Sequence, residues 1–147
     1  MVRSTIHRLP PSQLVLVSCD EARVIYLIDK GADVNARNEI GVSPLSFASC
    51  SPYPKILESL LSAGADINAQ DNEGRTALMT TMGYPDTTEQ FIEAGADGNL
   101  QDKKGRTALD YAMKIDTFRK EILKILLQAG ATSGRRQANT ARNRTRH

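Results

Sequence analysis

Tryptophan is absent from this chain of 147 residues, and phenylalanine and tyrosine together supply seven. Any core must therefore be aliphatic. Cysteine is almost absent too, with Cys19 and Cys50 the two present. Two cysteines cannot form a disulfide framework and have no metal-ligand spacing, so they read as buried or half-buried thiols in a reducing compartment. His7 and His147 are the two histidines, at opposite ends of the chain, and neither can be paired with a nucleophile by position. No Gly-x-Gly-x-x-Gly or phosphate loop occurs. No apolar run approaches the roughly 20 residues of a membrane span. These gaps lead us to expect no enzyme, no catalytic residue, no cofactor, no metal and no membrane span.

What is present is the composition of an ordinary soluble protein, with 40% hydrophobic and 24% charged residues. The net charge of +2 is unevenly spread. Arg135, Arg136, Arg142, Arg144 and Arg146 stand in residues 134–147 without an acid, which leaves 14 basic residues against 17 acidic ones, a balance of −3, for residues 1–133. The basic character belongs to the tail. Low hydrophobicity and a single charge sign predict that the tail, 134–147, is disordered. Near the start, Leu16-Val17-Ser18-Cys19 is similar to the cleavage box of bacterial lipoproteins, with Arg3 and Arg8 ahead of it. Pro10, Pro11 and Gln13 interrupt the apolar stretch before it, below the roughly 7–15 residues of a signal core. A cytoplasmic location is preferred, with export or processing at Cys19 the minor alternative.

The organising feature is a phrase used three times. Gly31-Ala32-Asp33-Val34-Asn35, Gly64-Ala65-Asp66-Ile67-Asn68 and Gly95-Ala96-Asp97-Gly98-Asn99 are versions of it, and a fourth copy starts at Gly130-Ala131-Thr132. Those glycines are spaced by 33, 31 and 35 residues. The linker glycines Gly41, Gly74 and Gly105 are spaced by 33 and 31. Two residues missing from the third unit and two extra in the fourth fall between paired helices, where a loop absorbs them.

Each unit predicts two short helices. In the first, Ser12 caps a helix through Leu14–Val17 and Asp20 caps a second over Glu21–Lys30. In the next, Ser43-Pro44 opens a helix, because proline in the first turn forgoes an N–H that has no helical partner there. Pro52-Tyr53-Pro54 turns the chain, and Lys55–Ala63 carries Ile56, Leu57, Leu60 and Leu61 on one face. The third unit runs Thr76–Met82, then Asp86 caps a helix to Ala94. The fourth runs Thr107 to about Ile115, then Phe118–Ala129. Asn35, Asn68 and Asn99 are expected to hold their own turns by side-chain bonds to backbone.

Units of 33 residues with this phrase, helix starts at Ser43-Pro44-Leu45, Thr76-Ala77-Leu78 and Thr107-Ala108-Leu109, and paired apolar residues at Leu60-Leu61, Phe91-Ile92 and Leu126-Leu127 resemble the ankyrin repeat. The resemblance covers residues 12–132. It implies an all-α fold, a solenoid of stacked antiparallel helix pairs with hairpin-like finger loops. The expected layout is a lead-in at 1–11, repeats over 12–133 (an atypical 12–40, then 41–73, 74–104 and 105–133), and the tail. The family's Thr-Pro-Leu-His start has its histidine replaced by Ser46, Met79 and Asp110, which puts its side-chain network between repeats in question.

The resemblance also implies function: a non-enzymatic, monomeric protein–protein interaction module that grips its partner with the concave face made by fingers and inner helices. The partner-binding positions are Arg37, Glu39 and Ile40, then Asn72, Glu73 and Arg75, then Lys103, Lys104 and Arg106. Ser49, Cys50, Gly83, Tyr84 and Lys114 could join them, while Met79 and Met82 read as core or groove wall. Charge drifts from mixed to basic along the fingers, which suits an acidic protein partner. A second reading makes the basic C-terminal end a binder of nucleic acid or an anionic surface, which the lack of a stacking aromatic in the tail disfavours. A third is an exported effector. Finally, Thr88 and Gln90 stand in the third unit where the fourth has Leu123 and Ile125, and a lost buried leucine costs about 2–5 kcal/mol in a packed core. The third unit should open first. Hydrogen exchange should be fastest across residues 74–104, and finding them the best protected would contradict this.

Overall fold

The structure, a computed structural model, describes residues 21–49, 54–81 and 84–135. The lead-in, the helix expected over 12–19, both cysteines, both histidines, the turn at Pro52-Tyr53, Met82, Gly83 and residues 136–147 lie outside that set. Among the described residues there are seven helices: α1 (Glu21–Asp29), α2 (Pro44–Ala48), α3 (Pro54–Ser62), α4 (Ala77–Thr80), α5 (Pro85–Glu93), α6 (Ala108–Ala112) and α7 (Arg119–Gln128). The short helices α2, α4 and α6 pack on one another in an inner row. The longer α1, α3, α5 and α7 form the outer row, with α1 on α3, α5 on α7, and α2 and α6 each packed on the outer helix of its own unit. The fold is an all-α solenoid, as expected.

Local chemistry starts and stops these helices. Ser43 and Thr76 sit in extended conformation and accept the amide N–H of Ser46 and Met79, each at 3.4 Å, meeting donors that have no partner inside the helix. Every outer helix ends in the same way. Gly64, for example, takes φ +92°, its N–H bonds to Leu61 O at 3.0 Å, and Ala65 N–H reaches Leu60 O at 3.0 Å. Glycine is needed there because a Cβ is strained in the left-handed region.

Two expected starts are revised. Asp86 is inside the first turn of α5 rather than at its cap; Tyr84 takes the cap position and Pro85 the first helical one. The inner helix of the fourth unit stops at Ala112, short of Ile115, and α7 begins after Phe118. The two extra residues of this unit are taken up in between, where Phe118 adopts φ +56° while 53% exposed. At the other end of this unit order continues past 133: residues 134–135 are helical, and Gly134 is buried where a Cβ would collide with the Gly105 carbonyl.

The core runs through the stack as one strip of aliphatic side chains. Leu45, Leu60, Leu78, Ile122 and Leu126 are each no more than 2% exposed. The third unit keeps the strip closed by different means. Phe91 fills the place held by Leu60 and Leu126 and is fully buried. Thr88, also fully buried, donates to Tyr84 O at 3.0 Å and lies 3.1 Å from the hydroxyl of Thr81, which donates to Leu78 O at 2.8 Å. These hydroxyls are satisfied, so Thr88 costs the unit less than a lost leucine would. Gln90 is the weak point: its Oε1 is buried without a hydrogen-bond partner among the described residues. An unpaired buried acceptor costs about 1–3 kcal/mol. Gln90→Met removes it at nearly constant volume and should raise stability by about 1 kcal/mol in urea unfolding; an unchanged or lower midpoint would mean the amide is not the weak point.

Candidate partner-binding site

The fingers between the helix pairs are built from aspartate and asparagine in different roles. Asp33, Asp66 and Asp97 hold the turns, each accepting the N–H two residues on (Asn35, Asn68, Asn99) at 2.9–3.0 Å. The asparagines, expected to hold their own turns, reach instead into the following unit. Asn35 Oδ1 accepts Asp66 N–H at 2.7 Å and its Nδ2 donates to Gly64 O at 3.0 Å. Asn68 Oδ1 accepts Asp97 N–H at 2.8 Å, and Asn99 Oδ1 accepts Thr132 N–H at 2.8 Å. An amide offers an acceptor and a donor on separate atoms at neutral charge, which suits bridging two backbone groups.

The finger ends repeat the division. Asp71 accepts the N–H of Glu73 and of Arg75 on one oxygen, each at 2.9 Å, and Arg75 Nε at 2.8 Å on the other. Asp102 does the same for Lys104, Arg106 and the Arg106 guanidinium. Asn38 holds the equivalent place in the first finger, accepting Ile40 and Val42 N–H at 3.1 and 2.9 Å. Backbone bonds then tie one finger to the next: Asn72 N–H to Ile40 O at 3.0 Å and Lys103 N–H to Glu73 O at 2.9 Å. The approach is so close that a Cβ on Gly74 would stand 3.0 Å from Asp102 Cα and from Lys103 N.

These bonds sort the nine candidate positions. Glu39, Ile40, Glu73, Lys103 and Lys104 are exposed on adjacent finger ends, Ile40 at 58%. Arg37 is exposed but its Nε is bonded to Gly41 O at 3.1 Å. Asn72 is exposed yet employed between fingers, its Nδ2 donating to Glu39 O at 2.9 Å. Arg75 and Arg106 are half-buried and paired with Asp71 and Asp102, both at 2.8 Å. Of the inner-helix candidates, Tyr84 and Lys114 are exposed, but Ser49 is not available: it is fully buried, with Oγ 2.6 Å from Ser46 O and 2.7 Å from Thr80 Oγ1. Met79 is core, at 2%.

One polar cluster went unread in the sequence. Tyr111 donates to Asp102 Oδ2 at 2.7 Å, receives Arg106 Nη2 at 2.9 Å, and has its ring 4.7 Å from the guanidinium carbon. The equivalent places hold Phe47 and Thr80, so a comparison of units could have flagged it. Burial and the bond to Asp102 push the Tyr111 hydroxyl up to about 12, which keeps it protonated. Asp110, which replaces the family's histidine, binds Thr107 N–H at 3.0 Å, Ser133 Oγ at 2.7 Å and Gly134 N–H at 2.8 Å. A link onward to the next turn is therefore kept, by a carboxylate. No group of three or more His, Cys, Asp or Glu among the described residues could hold a metal. An apolar dimple lined by Val24, Ile28, Val34 and Leu60 has about 10 Å³ of free space, too little for a small-molecule substrate.

A family model for ankyrin repeats in three copies matches residues 45–137. The chain belongs to the ankyrin-repeat family. Over 58 residues it is 48% identical to human ankyrin repeat and SOCS box protein 6, covering 38% of this chain and 14% of that protein. It is 44% identical over 57 residues to human transient receptor potential cation channel subfamily A member 1, covering 39% and 5%. With human protein phosphatase 1 regulatory subunit 27 it shares 42% over 51 residues, covering 35% and 33%. The chain thus matches at most a third of the length of these relatives. Ankyrin repeats are, in general, protein–protein interaction modules and typically non-enzymatic. No helix among the described residues is long and apolar enough to cross a membrane.

In this ankyrin-repeat chain the third finger carries a testable charge. Burial alone would raise the Asp102 carboxyl, but hydrogen bonds from Arg106 N–H, the Tyr111 hydroxyl, the Arg106 guanidinium and Lys104 N–H bring it down to about 2. A carboxyl whose folded value lies below its unfolded one of 3.8 stabilises the fold above about pH 4, and loses that contribution as pH falls from 4 toward 2. Asp102→Asn, which copies Asn38 and keeps an acceptor for the two backbone N–H groups, should lower stability by about 2 kcal/mol at pH 7. The gap to the native chain should narrow as pH falls from 4 and be mostly closed by pH 2 in urea unfolding. A gap independent of pH would show that the carboxylate charge is not what matters.

Proposed function

We propose that this ankyrin-repeat chain is a monomeric, non-enzymatic binding module of the cytoplasm that holds a protein partner against its finger ends, with the third finger meeting an acidic part of that partner. The observation that carries this is the contrast between cations on that finger. Arg106 is committed to Asp102 and Tyr111. Lys103 and Lys104 are exposed, with no ion pair among the described residues, while their backbone N–H groups are fixed to Glu73 O and Asp102 Oδ1 at 2.9 Å. Two solvated charges on a rigid backbone cost little to order and steer an oppositely charged partner. Arg37, Glu39 and Ile40 on the first finger and Glu73 on the second complete a graded surface, mixed in charge with an apolar tip at one end and basic at the other.

The test is charge reversal without damage to the frame. Lys103→Glu with Lys104→Glu should leave the thermal midpoint within about a degree, since exposed substitutions rarely exceed about 0.5 kcal/mol. Affinity capture from the native cell should then lose partners that the native chain retains, by about tenfold or more in yield. Identical partners at identical yield would remove the third finger from the binding surface. Arg106 is left intact because reversing it would break the Asp102 cluster and confuse binding with folding.

A further inference from the structure

The four outer helices allow one position to be compared through the stack. Counting back from the glycine that ends each helix, Val24, Leu57, Thr88 and Leu123 share the seventh place, and Ile28, Leu61, Ile92 and Leu127 the third. In the first three units the seventh place is 1%, 2% and 0% exposed, and the third place is half-buried. On α7 both lose cover: Leu123 is only half-buried and Leu127 is 58% exposed. The physical difference is that α1 has α3 beside it and α5 has α7 beside it, whereas no outer helix follows α7 among the described residues.

Lys120 and Lys124 frame these leucines. The order 120, 123, 124, 127 is the one-face spacing of a helix, so the two leucines and two lysines make a single stripe. Both lysines are exposed and neither is ion-paired among the described residues. Their sign is particular to this helix: the place of Lys124 is held by Glu58 on α3 and Glu89 on α5, and that of Lys120 by Glu21, Pro54 and Pro85. The edge is thus apolar in the middle and positive along its rim. Residues 136–147 do not complement it, since they hold four arginines, no acid and no apolar residue larger than alanine.

We propose that the Leu123–Leu127 edge of α7, rimmed by Lys120 and Lys124, docks an acidic amphipathic helix of a partner protein, seated as the outer helix of a following unit would be. Apolar cover for Leu127 supplies attraction, and the rim selects a negatively flanked helix over a positive one. This surface is separate from the finger ends, so the two can fail independently.

Two synthetic helical peptides carrying the same leucine stripe, one flanked by glutamates and one by lysines, are titrated into the isotope-labelled full chain and followed by amide chemical shifts. The glutamate peptide should move Leu123, Lys124 and Leu127 in a saturable way and bind about tenfold or more tightly than the lysine peptide. Leu127→Glu should reduce its affinity by at least about tenfold, and so should Lys120→Glu with Lys124→Glu, with melting curves unchanged because Leu127 and both lysines are exposed. Equal binding of the two peptides, shifts confined to Lys103 and Lys104, or no saturable shift would overturn the proposal. A concentration-dependent dimer in sedimentation equilibrium that Leu127→Glu abolishes would assign the edge to a second copy of this chain and overturn it equally.

Discussion

Each unit of this solenoid depends on a side chain that leaves its own turn. Asn35, Asn68 and Asn99 hand their amide oxygens to backbone N–H groups of the next phrase, at 2.7–2.8 Å. A helix pair this small cannot bury its apolar face alone, so stability in a repeat array comes largely from the interfaces between neighbours. The hydrophobic strip supplies the attraction at those interfaces but says little about register, because sliding one aliphatic face over another changes its energy slowly. The amide bridge has a bond-length tolerance of a few tenths of an ångström. It is what sets the spacing of the fingers, and through them the position of every exposed tip.

The same economy separates frame from surface. Within the second and third fingers aspartate closes the end and arginine neutralises the aspartate, while Glu73, Lys103 and Lys104 between them stay exposed. Asp102, Arg106 and Tyr111 show how far the frame extends into charge: three polar groups that could be read as a reactive cluster are mutually satisfied, and their shifted titrations record that satisfaction. A perturbed carboxyl is often a sign of chemistry. Here each perturbing bond comes from a neighbouring residue of the same finger or the helix beneath it.

Variation between units is absorbed in different ways. The third unit replaces leucine by threonine and recovers most of the loss, since Thr88 and Thr81 find carbonyl acceptors and Phe91 fills the strip. Gln90 finds none. The fourth unit lodges two extra residues in the turn between its helices, at the cost of a left-handed phenylalanine, and leaves the side of α7 where another unit would stack partly open. Strain, an unpaired amide and an uncovered edge therefore all fall in the later half of the array, where its charge also turns basic.

Much of this was legible in advance because it is local. Capping by Ser43 and Thr76, the glycine at the end of every outer helix, and the apolar spacing of Leu57, Leu60 and Leu61 follow from interactions within a few residues, which a linear reading can see. The exposed tips Glu39, Ile40, Glu73, Lys103 and Lys104 were named for the same reason, since a short turn leaves its end in water. What a linear reading does not show is the partner each polar side chain takes, whether four residues away within a finger or about thirty residues away in a neighbouring unit. Asn68 was expected to serve its own turn and serves the next. Ser49 was expected on an open face and is covered by Thr80. Asn72, Arg75 and Arg106 were grouped with the free tips and are tied to Ile40, Asp71 and Asp102. The chain's periodicity alone determined that helix pairs would stack and that a glycine would end each outer helix, because those are short-range preferences repeated in register. Which polar side chains would remain free to meet another molecule was decided by the tertiary structure, because Arg75 and Arg106 pair only once their fingers close and Asn68, Asn72 and Ser49 bond only once neighbouring units lie side by side.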